Sequence, residues 1–305
     1  MTFPRHHRFR RAEKFAPMEL TARDAEILRA VNRHRFLRSH QIADLVGGSR
    51  QQVLRRLQLL YHHGYLERPR CQIDYYHAGG SRCIANGLAS RGAAFLRRVD
   101  DIPFSRLDWS SRNRAVKRLF LEHALMVSDI MVALEMACRK RSDVRLLMED
   151  EIPLPESTRA LGDPFRWTVK VSGKRKLAVI PDRVFALEFT DNNERILCFL
   201  EADRGTMPVV RASDKGSSLA KKVQAYAATW RQQIHRHRFG VSRIRVLPVI
   251  IQDQRAAALR TVLMREVPSL GIFLIGKWAQ ARDASTVLGD CWLTANDGAP
   301  VSLLS

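Results

Sequence analysis

Residues 19–70 read ELTARDAEILRAVNRHRFLRSHQIADLVGGSRQQVLRRLQLLYHHGYLERPR, and this stretch decides the fold of the N-terminal part of the chain. Thr21 followed three residues later by Asp24 is a capping box, and Ile27, Leu28 and Val31 behind it share one helix face. Ser39 is expected to cap a short second helix that turns Ile42, Leu45 and Val46 inward. Gly47-Gly48 supplies a turn, Ser49 a further cap, and a third helix runs on to Gly64. On that helix Val53, Leu57 and Leu60 form a buried stripe, while Gln51, Gln52, Arg55 and His62 gather on the opposite side. Such a face suits the DNA major groove, because Arg pairs bidentately with guanine O6/N7 and Gln with adenine N6/N7.

Outward from this core, residues 65–68 and 84–88 are expected as two strands joined by a polar loop around Gly79-Gly80-Ser81, in the position of a wing. Residues 90–98 read as a closing helix, which makes 19–98 a winged helix-turn-helix domain. Residues 1–18 are expected as a basic disordered arm carrying Arg5, Arg8, Arg10 and Arg11. Residues 99–112, with Asp100-Asp101, Pro103 and Ser110-Ser111, are the candidate linker.

Composition points the same way. The 305 residues carry a formal charge of +20, and residues 1–112 hold 21 of the 51 Lys+Arg but only 10 of the 31 Asp+Glu. The basic surplus is therefore denser in the part of the chain that holds the third helix, and its Arg-rich make-up favours contacts to phosphates and base edges. No segment approaches the roughly 20 apolar residues of a spanning helix, so no membrane partner is expected. Five scattered cysteines, Cys71, Cys83, Cys138, Cys198 and Cys291, form no C-x-x-C pair, so neither a disulfide framework nor a zinc site is indicated. With no apolar stretch in residues 1–14 to make a signal peptide, a cytoplasmic protein is expected.

The remainder reads as an α/β domain over 113–280 followed by a tail over 281–305. A long helix is expected over 113–141, with Leu119, Phe120, Val127, Ile130 and Leu134 on one face and His123 among them. Apolar runs at 144–148, 177–189 and 196–200 predict strands, and 217–235 a helix. A strand at 244–251, a helix at 254–266 and a last strand at 271–275 complete a layered arrangement.

Two strand ends carry candidate chemistry. Pro181 precedes Asp182, and its missing N–H implies a strand edge or a bend. Glu201 and Asp203 end the next strand two residues apart, so their side chains face the same side. Asp182, Glu201 and Asp203 presented together would be hard oxygen ligands of the kind Mg²⁺ takes. The helix that follows places Lys222 at the edge of its buried face, leaning toward those carboxylates, with Tyr226 one turn beyond. Spacing alone leaves two roles open for Lys222: stabilising a phosphate in flight, or pairing structurally with Glu201 or Asp203.

The pattern Pro181-Asp182, Glu201-x-Asp203-Arg204-Gly205-Thr206, then Lys222-x-x-x-Tyr226, behind a helix containing Glu122-His123, resembles the replication-relaxation family of bacterial plasmid and mobile-element proteins. The resemblance implies a role in plasmid replication and DNA relaxation. The second half also resembles the PD-(D/E)xK nuclease core in its order of elements, which implies a restriction-endonuclease-like domain with Asp182, Glu201, Asp203 and Lys222 as catalytic residues. Asp203 stands where that superfamily has its lysine. Either Lys222 takes the role from the helix or the site does not cut, so whether the chain is a Mg²⁺-dependent endonuclease or nickase stays open.

Double-stranded DNA is the expected partner, with Gln51, Gln52 and Arg55 reading bases and Arg50, Arg56, Arg68 and Arg82 holding phosphates. Plasmid replication or mobilisation proteins and a second copy of the chain are further candidate partners. The alternative is a regulator without catalysis whose α/β domain serves dimerisation or partner binding. No Gly-rich phosphate loop with a following Lys-Ser/Thr occurs, which argues against an ATP-driven motor. His235-Arg236-His237 has the outline of a metal-binding His pair, but its central residue is basic and it reads as a helix end.

Overall fold

Thr21 and Asp24 hold the start of the first helix as their spacing predicts. In the computed structural model, which describes residues 8–13, 15, 17–73, 83–101, 109–173, 175–206, 208, 218–267, 270–295 and 299–305, the Asp24 N–H donates to Thr21 Oγ1 at 3.3 Å and the Thr21 N–H donates to Asp24 Oδ2 at 2.8 Å. This box opens α1 (Ala22–His34), whose Ile27, Leu28 and Val31 are fully buried. β1 (Phe36–Arg38) leads into α2 (Ser39–Val46). The cap of α2 is Arg38 rather than the expected Ser39, because the Arg38 N–H is the group that finds a side-chain acceptor, Gln41 Oε1 at 2.8 Å. Gly47 and Gly48 turn the chain at φ +67° and +79°, a region that side chains with a Cβ rarely adopt. Ser49 Oγ accepts the Gln52 N–H at 3.5 Å and opens α3 (Arg50–His62).

β3 (Ala85–Leu88) pairs antiparallel with both β1 and β2 (Leu66–Glu67), giving a sheet of order β1-β3-β2. Gly79, Gly80, Ser81 and Arg82 lie outside the described residues. α4 (Ser90–Asp100) closes this part of the chain. The second half of the expected linker instead forms α5 (Trp109–Arg114), tied back by reciprocal Ser90–Ser110 hydrogen bonds and by Asn113 Nδ2 donating to Leu88 O at 2.8 Å. The described part of the expected arm is likewise tied down. Arg11 donates to Tyr61 O and Leu66 O at 2.9 and 3.1 Å and pairs with buried Glu67, whose Oε2 Arg114 also reaches at 2.9 Å.

α6 (Arg118–Cys138) starts after a break in the helix expected from residue 113. The chain divides into two units, Met1–Ser128 and Asp129–Ser305, so the division falls inside α6 and not at 99–112. Leu119 is 64% exposed and Phe120 is exposed too; Leu121 and Leu125 take the buried positions of the first unit, and Ile130 and Leu134 those of the second.

The second unit is built on a seven-stranded sheet. After β4 (Val144–Met148) and the short α7 (Glu156–Arg159) come a separate hairpin, β5 (Trp167–Ser172) and β6 (Arg175–Val179), and then β7 (Arg183–Phe189) and β8 (Arg195–Asp203). α8 (Leu219–Arg231), α9 (Ile234–Phe239), β9 (Arg243–Ile250) and α10 (Asp253–Glu266) follow. β10 (Ile275–Lys277), α11 (Trp278–Ala281), β11 (Trp292–Leu293) and β12 (Pro300–Val301) end the chain. The order is β12-β11-β10-β9-β8-β7-β4, with β9 parallel to both β8 and β10. The apolar run at 177–189 is thus two strands broken at Pro181, and the stretch 281–305 contributes two sheet strands instead of a tail. α8 packs its apolar face on the β5–β6 hairpin, where Trp167, Phe199, Tyr226 and Phe239 form a ring cluster with centroids 5.2–6.3 Å apart. Among the described residues no helix is long and apolar enough to cross a membrane.

Arg56 carries a buried tie of the first unit. Its guanidinium donates to both oxygens of Asp24, whose side chain is fully buried, and to Glu19 O at 3.0 Å. Burial would raise the Asp24 carboxyl, but hydrogen bonds from Arg56 and Thr21 outweigh it and hold the group below its ordinary range. Arg56→Ala would leave that carboxylate buried and unpaired, and is expected to lower the unfolding free energy by about 3 kcal/mol in denaturant titration at neutral pH. A loss within about 0.5 kcal/mol would show that solvent takes over the role of Arg56.

Candidate functional site

Two sets of residues qualify, one in each unit. On α3 the i, i+4, i+7 stripe of Val53, Leu57 and Leu60 is buried against the rest of the unit, which leaves Arg50, Gln51, Gln52 and Arg55 exposed on the outward side. Leu54, which periodicity gave no role, is 44% exposed beside them. His62 does not join this face: it is buried, stacked on Phe15 at 4.3 Å, and its Nδ1 accepts the Ala12 N–H at 3.0 Å.

The expected phosphate contacts fare unevenly. Arg50 is exposed. Arg56 is turned inward onto Asp24. Arg68 is only 7% exposed, lies over the Tyr61 ring at 4.1 Å and donates to Arg8 O at 2.6 Å, so its guanidinium is a packing element. Arg82 lies outside the described residues.

In the second unit the strand ends bring the carboxylates near one another. Asp182 precedes β7, its N–H donating to Leu200 O at 3.1 Å and its Oδ2 accepting the Ala202 N–H at 2.8 Å. Pro181 lies at this entry point, so its missing N–H breaks no ladder, although β7 itself is paired on both sides. Glu201 and Asp203 point to one side of β8, opposite Pro248 and Ile250 of β9. Glu201 is 4% exposed; its Oε1 accepts from the Tyr226 hydroxyl at 2.6 Å and its Oε2 from the Lys222 ammonium. Lys222 and Tyr226 reach it together because they stand one turn apart on α8. Asp203 accepts from the Gly205 N–H at 2.9 Å and from Arg255 Nε of α10 at 2.8 Å.

Electrostatics follow this packing. Burial pushes the Glu201 carboxyl up to about 7, with Asp182 adding to the rise and Lys222 and Tyr226 opposing it. Burial alone would lower Lys222, but Glu201, Asp182 and Asp203 more than compensate and hold its ammonium above the ordinary lysine range. Burial and Glu201 together push the Tyr226 hydroxyl well above its ordinary value, and Tyr226 is 1% exposed, so it is neither ionised nor accessible as a nucleophile.

A Mg²⁺ site needs carboxylate oxygens free to converge on one point. Here Lys222 and Tyr226 occupy both oxygens of Glu201, Arg255 and Gly205 those of Asp203, and the Ala202 amide one of Asp182. Among the described residues no group of three or more His, Cys, Asp or Glu side chains is placed to hold a metal. The residues as arranged do not fit the ion. Arg255 is the partner that sequence reading missed, since its contact depends on the β8–β9 register, which periodicity does not reveal. His235 and His237 do not act together: His235 is buried and stacked on Trp230 at 4.3 Å, while His237 is exposed.

A family model described as replication-relaxation matches residues 28–243, more than two thirds of the chain, a span that includes α3 and Asp182, Glu201, Asp203 and Lys222 but not Arg255. No curated protein and no solved structure matches it.

Because the folded Glu201 carboxyl sits near 7 against an ordinary 4.5, the fold holds that proton more tightly than the unfolded chain. Its stabilising contribution is fully present below about pH 4.5 and is lost as pH rises through about 7. Lys222, raised from an already high value, titrates outside that window. Unfolding free energies measured from pH 4.5 to 7.5 should therefore decline less steeply for Glu201→Gln than for the wild type; superimposable slopes would reject the assignment.

Proposed function

The chain belongs to the replication-relaxation family, which ties it to replication or relaxation of plasmid or mobile-element DNA, and we propose that it recognises such DNA through a winged helix in its first unit. The observation that carries this reading is the outward face of α3, where Gln51, Gln52 and Arg55 stand exposed behind the Gly47-Gly48 turn. The order helix, strand, helix, helix, strand, strand supports a winged helix with α3 as its reading element. Gln51, Gln52 and Arg55 then read base edges and Arg50 holds a phosphate, each good bidentate base contact contributing about 1–3 kcal/mol of discrimination.

The second unit, in this proposal, is a nuclease-like scaffold whose carboxylates are closed by cations. Lys222 and Arg255 compensate Glu201 and Asp203 within the fold, and no hydrolytic step is assigned to them. The protein then works by recognising DNA and recruiting other replication proteins, and a second copy of the chain is a natural partner on a two-fold symmetric site.

Two measurements test this. Arg55→Ala should weaken binding to the cognate duplex by about tenfold or more while leaving affinity for random duplex nearly unchanged; equal losses on both would remove its base-reading role. Full-length protein incubated with supercoiled plasmid bearing the element's origin should bind it without altering its topology in Mg²⁺, Mn²⁺ or EDTA. Metal-dependent nicking that disappears in Asp182→Ala would overturn the closed-scaffold reading and make the chain an endonuclease.

A further inference from the structure

Leu54 is an unexplained residue on the face of α3 just described. It is 44% exposed at the middle of a helix whose other apolar side chains at 53, 57 and 60 are buried. At about 100° per residue, Leu54 lies about 60° from Gln51 and about 100° from Arg55, with Gln58 between Leu54 and Gln51. It therefore belongs to the same outward patch as Gln51 and Arg55, two of the three residues assigned to base edges, one turn along from Gln51. Isolated exposed leucines are common and mostly inconsequential. This one differs in its surroundings: a branched aliphatic group set among Gln and Arg side chains that carry the complementary hydrogen-bonding chemistry of a base pair edge.

The major groove presents one apolar feature, the 5-methyl group of thymine, beside the donor and acceptor pattern that Gln and Arg match. We propose that Leu54 packs against a thymine methyl and so makes the recognised site depend on thymine at the position next to the one read by Gln51. The proposal rests on the DNA-recognition reading above and extends it to the chemistry of the target. A helix that carried only Gln and Arg would read hydrogen bonds alone; Leu54 adds a contact that desolvates both partners and leaves no buried polar group unpaired.

Removing that methyl without touching any hydrogen-bonding group tests the idea. Duplexes enriched from a random-sequence library by the full-length protein would be resynthesised with deoxyuridine in place of each thymine in turn. The wild type should lose about fourfold in affinity at one position, as expected for one buried methyl. Leu54→Ala should bind the thymine and uracil duplexes equally, and Leu54→Met, which keeps an apolar side chain, should restore most of the difference. Uracil substitution that costs nothing at any position, or that costs the same in wild type and Leu54→Ala, would overturn the Leu54 assignment and leave recognition by α3 standing. A library from which no sequence is enriched would overturn base recognition itself, and the Leu54 contact with it.

Discussion

The second unit depends on a strand that is buried along almost all of its length and nevertheless ends in acids. β8 lies between antiparallel β7 and parallel β9, and Ile196, Leu197, Cys198, Phe199 and Leu200 are fully enclosed. Continuing that strand by three residues carries Glu201 and Asp203 inward with it. A lone buried carboxylate would cost several kcal/mol even after relaxation, far more than any single packing contact returns. The fold answers by bringing one cation from each of two helices: Lys222 from α8 and Arg255 from α10. The position of both helices over the sheet is thereby coupled to two ion pairs, which act in register with the aromatic packing of Tyr226 against Phe199 and Trp167. Tyr226 belongs to both systems, since its ring packs in the cluster while its hydroxyl closes Glu201.

The first unit solves a similar problem with arginine alone. Asp24 and Glu67 are buried, and Arg56 closes the first while Arg11 and Arg114 close the second. Guanidinium suits this task because it is planar, always charged and able to donate along two directions at once. Three of the unit's arginines thus compensate buried acids within it. On α3 the arginines divide by position, Arg56 turned inward onto Asp24 and Arg50 and Arg55 exposed.

This explains what the sequence disclosed and what it withheld. The helices of the first unit were legible because capping and periodicity are local: Thr21 with Asp24, the Gly47-Gly48 turn and the Val53, Leu57, Leu60 stripe involve neighbours within two turns. The likeness to the replication-relaxation family was legible because the residues that carry it, Glu201-x-Asp203-Arg204-Gly205-Thr206 among them, lie close together in sequence, within the matched span. Arg56 and Arg68 misled because only tertiary contact separates an arginine over Asp24 or Tyr61 from one facing solvent. Residues 281–305 were read as a tail because strands of two residues are too short to show alternation. The first strand of the β5–β6 hairpin was missed although its local signal is present, Trp167, Val169 and Val171 alternating with Thr168 and Lys170.

The carboxylate cluster shows why motif and mechanism must be argued separately. Lys222 leans onto Glu201 as the helical wheel suggested, and Asp182, Glu201 and Asp203 lie at neighbouring strand ends. What periodicity alone did not distinguish was whether the lysine faces a substrate phosphate or a neighbouring acid. Glu201 is enclosed and bridged on both oxygens, so Lys222 already compensates a buried acid in the folded protein. On α3 the opposite holds: Gln51, Gln52 and Arg55 keep their hydrogen-bonding groups toward solvent, and a base edge would replace water without dismantling the fold. The asymmetry between a satisfied interior cluster and an exposed polar face is the physical reason to seek recognition in the first unit.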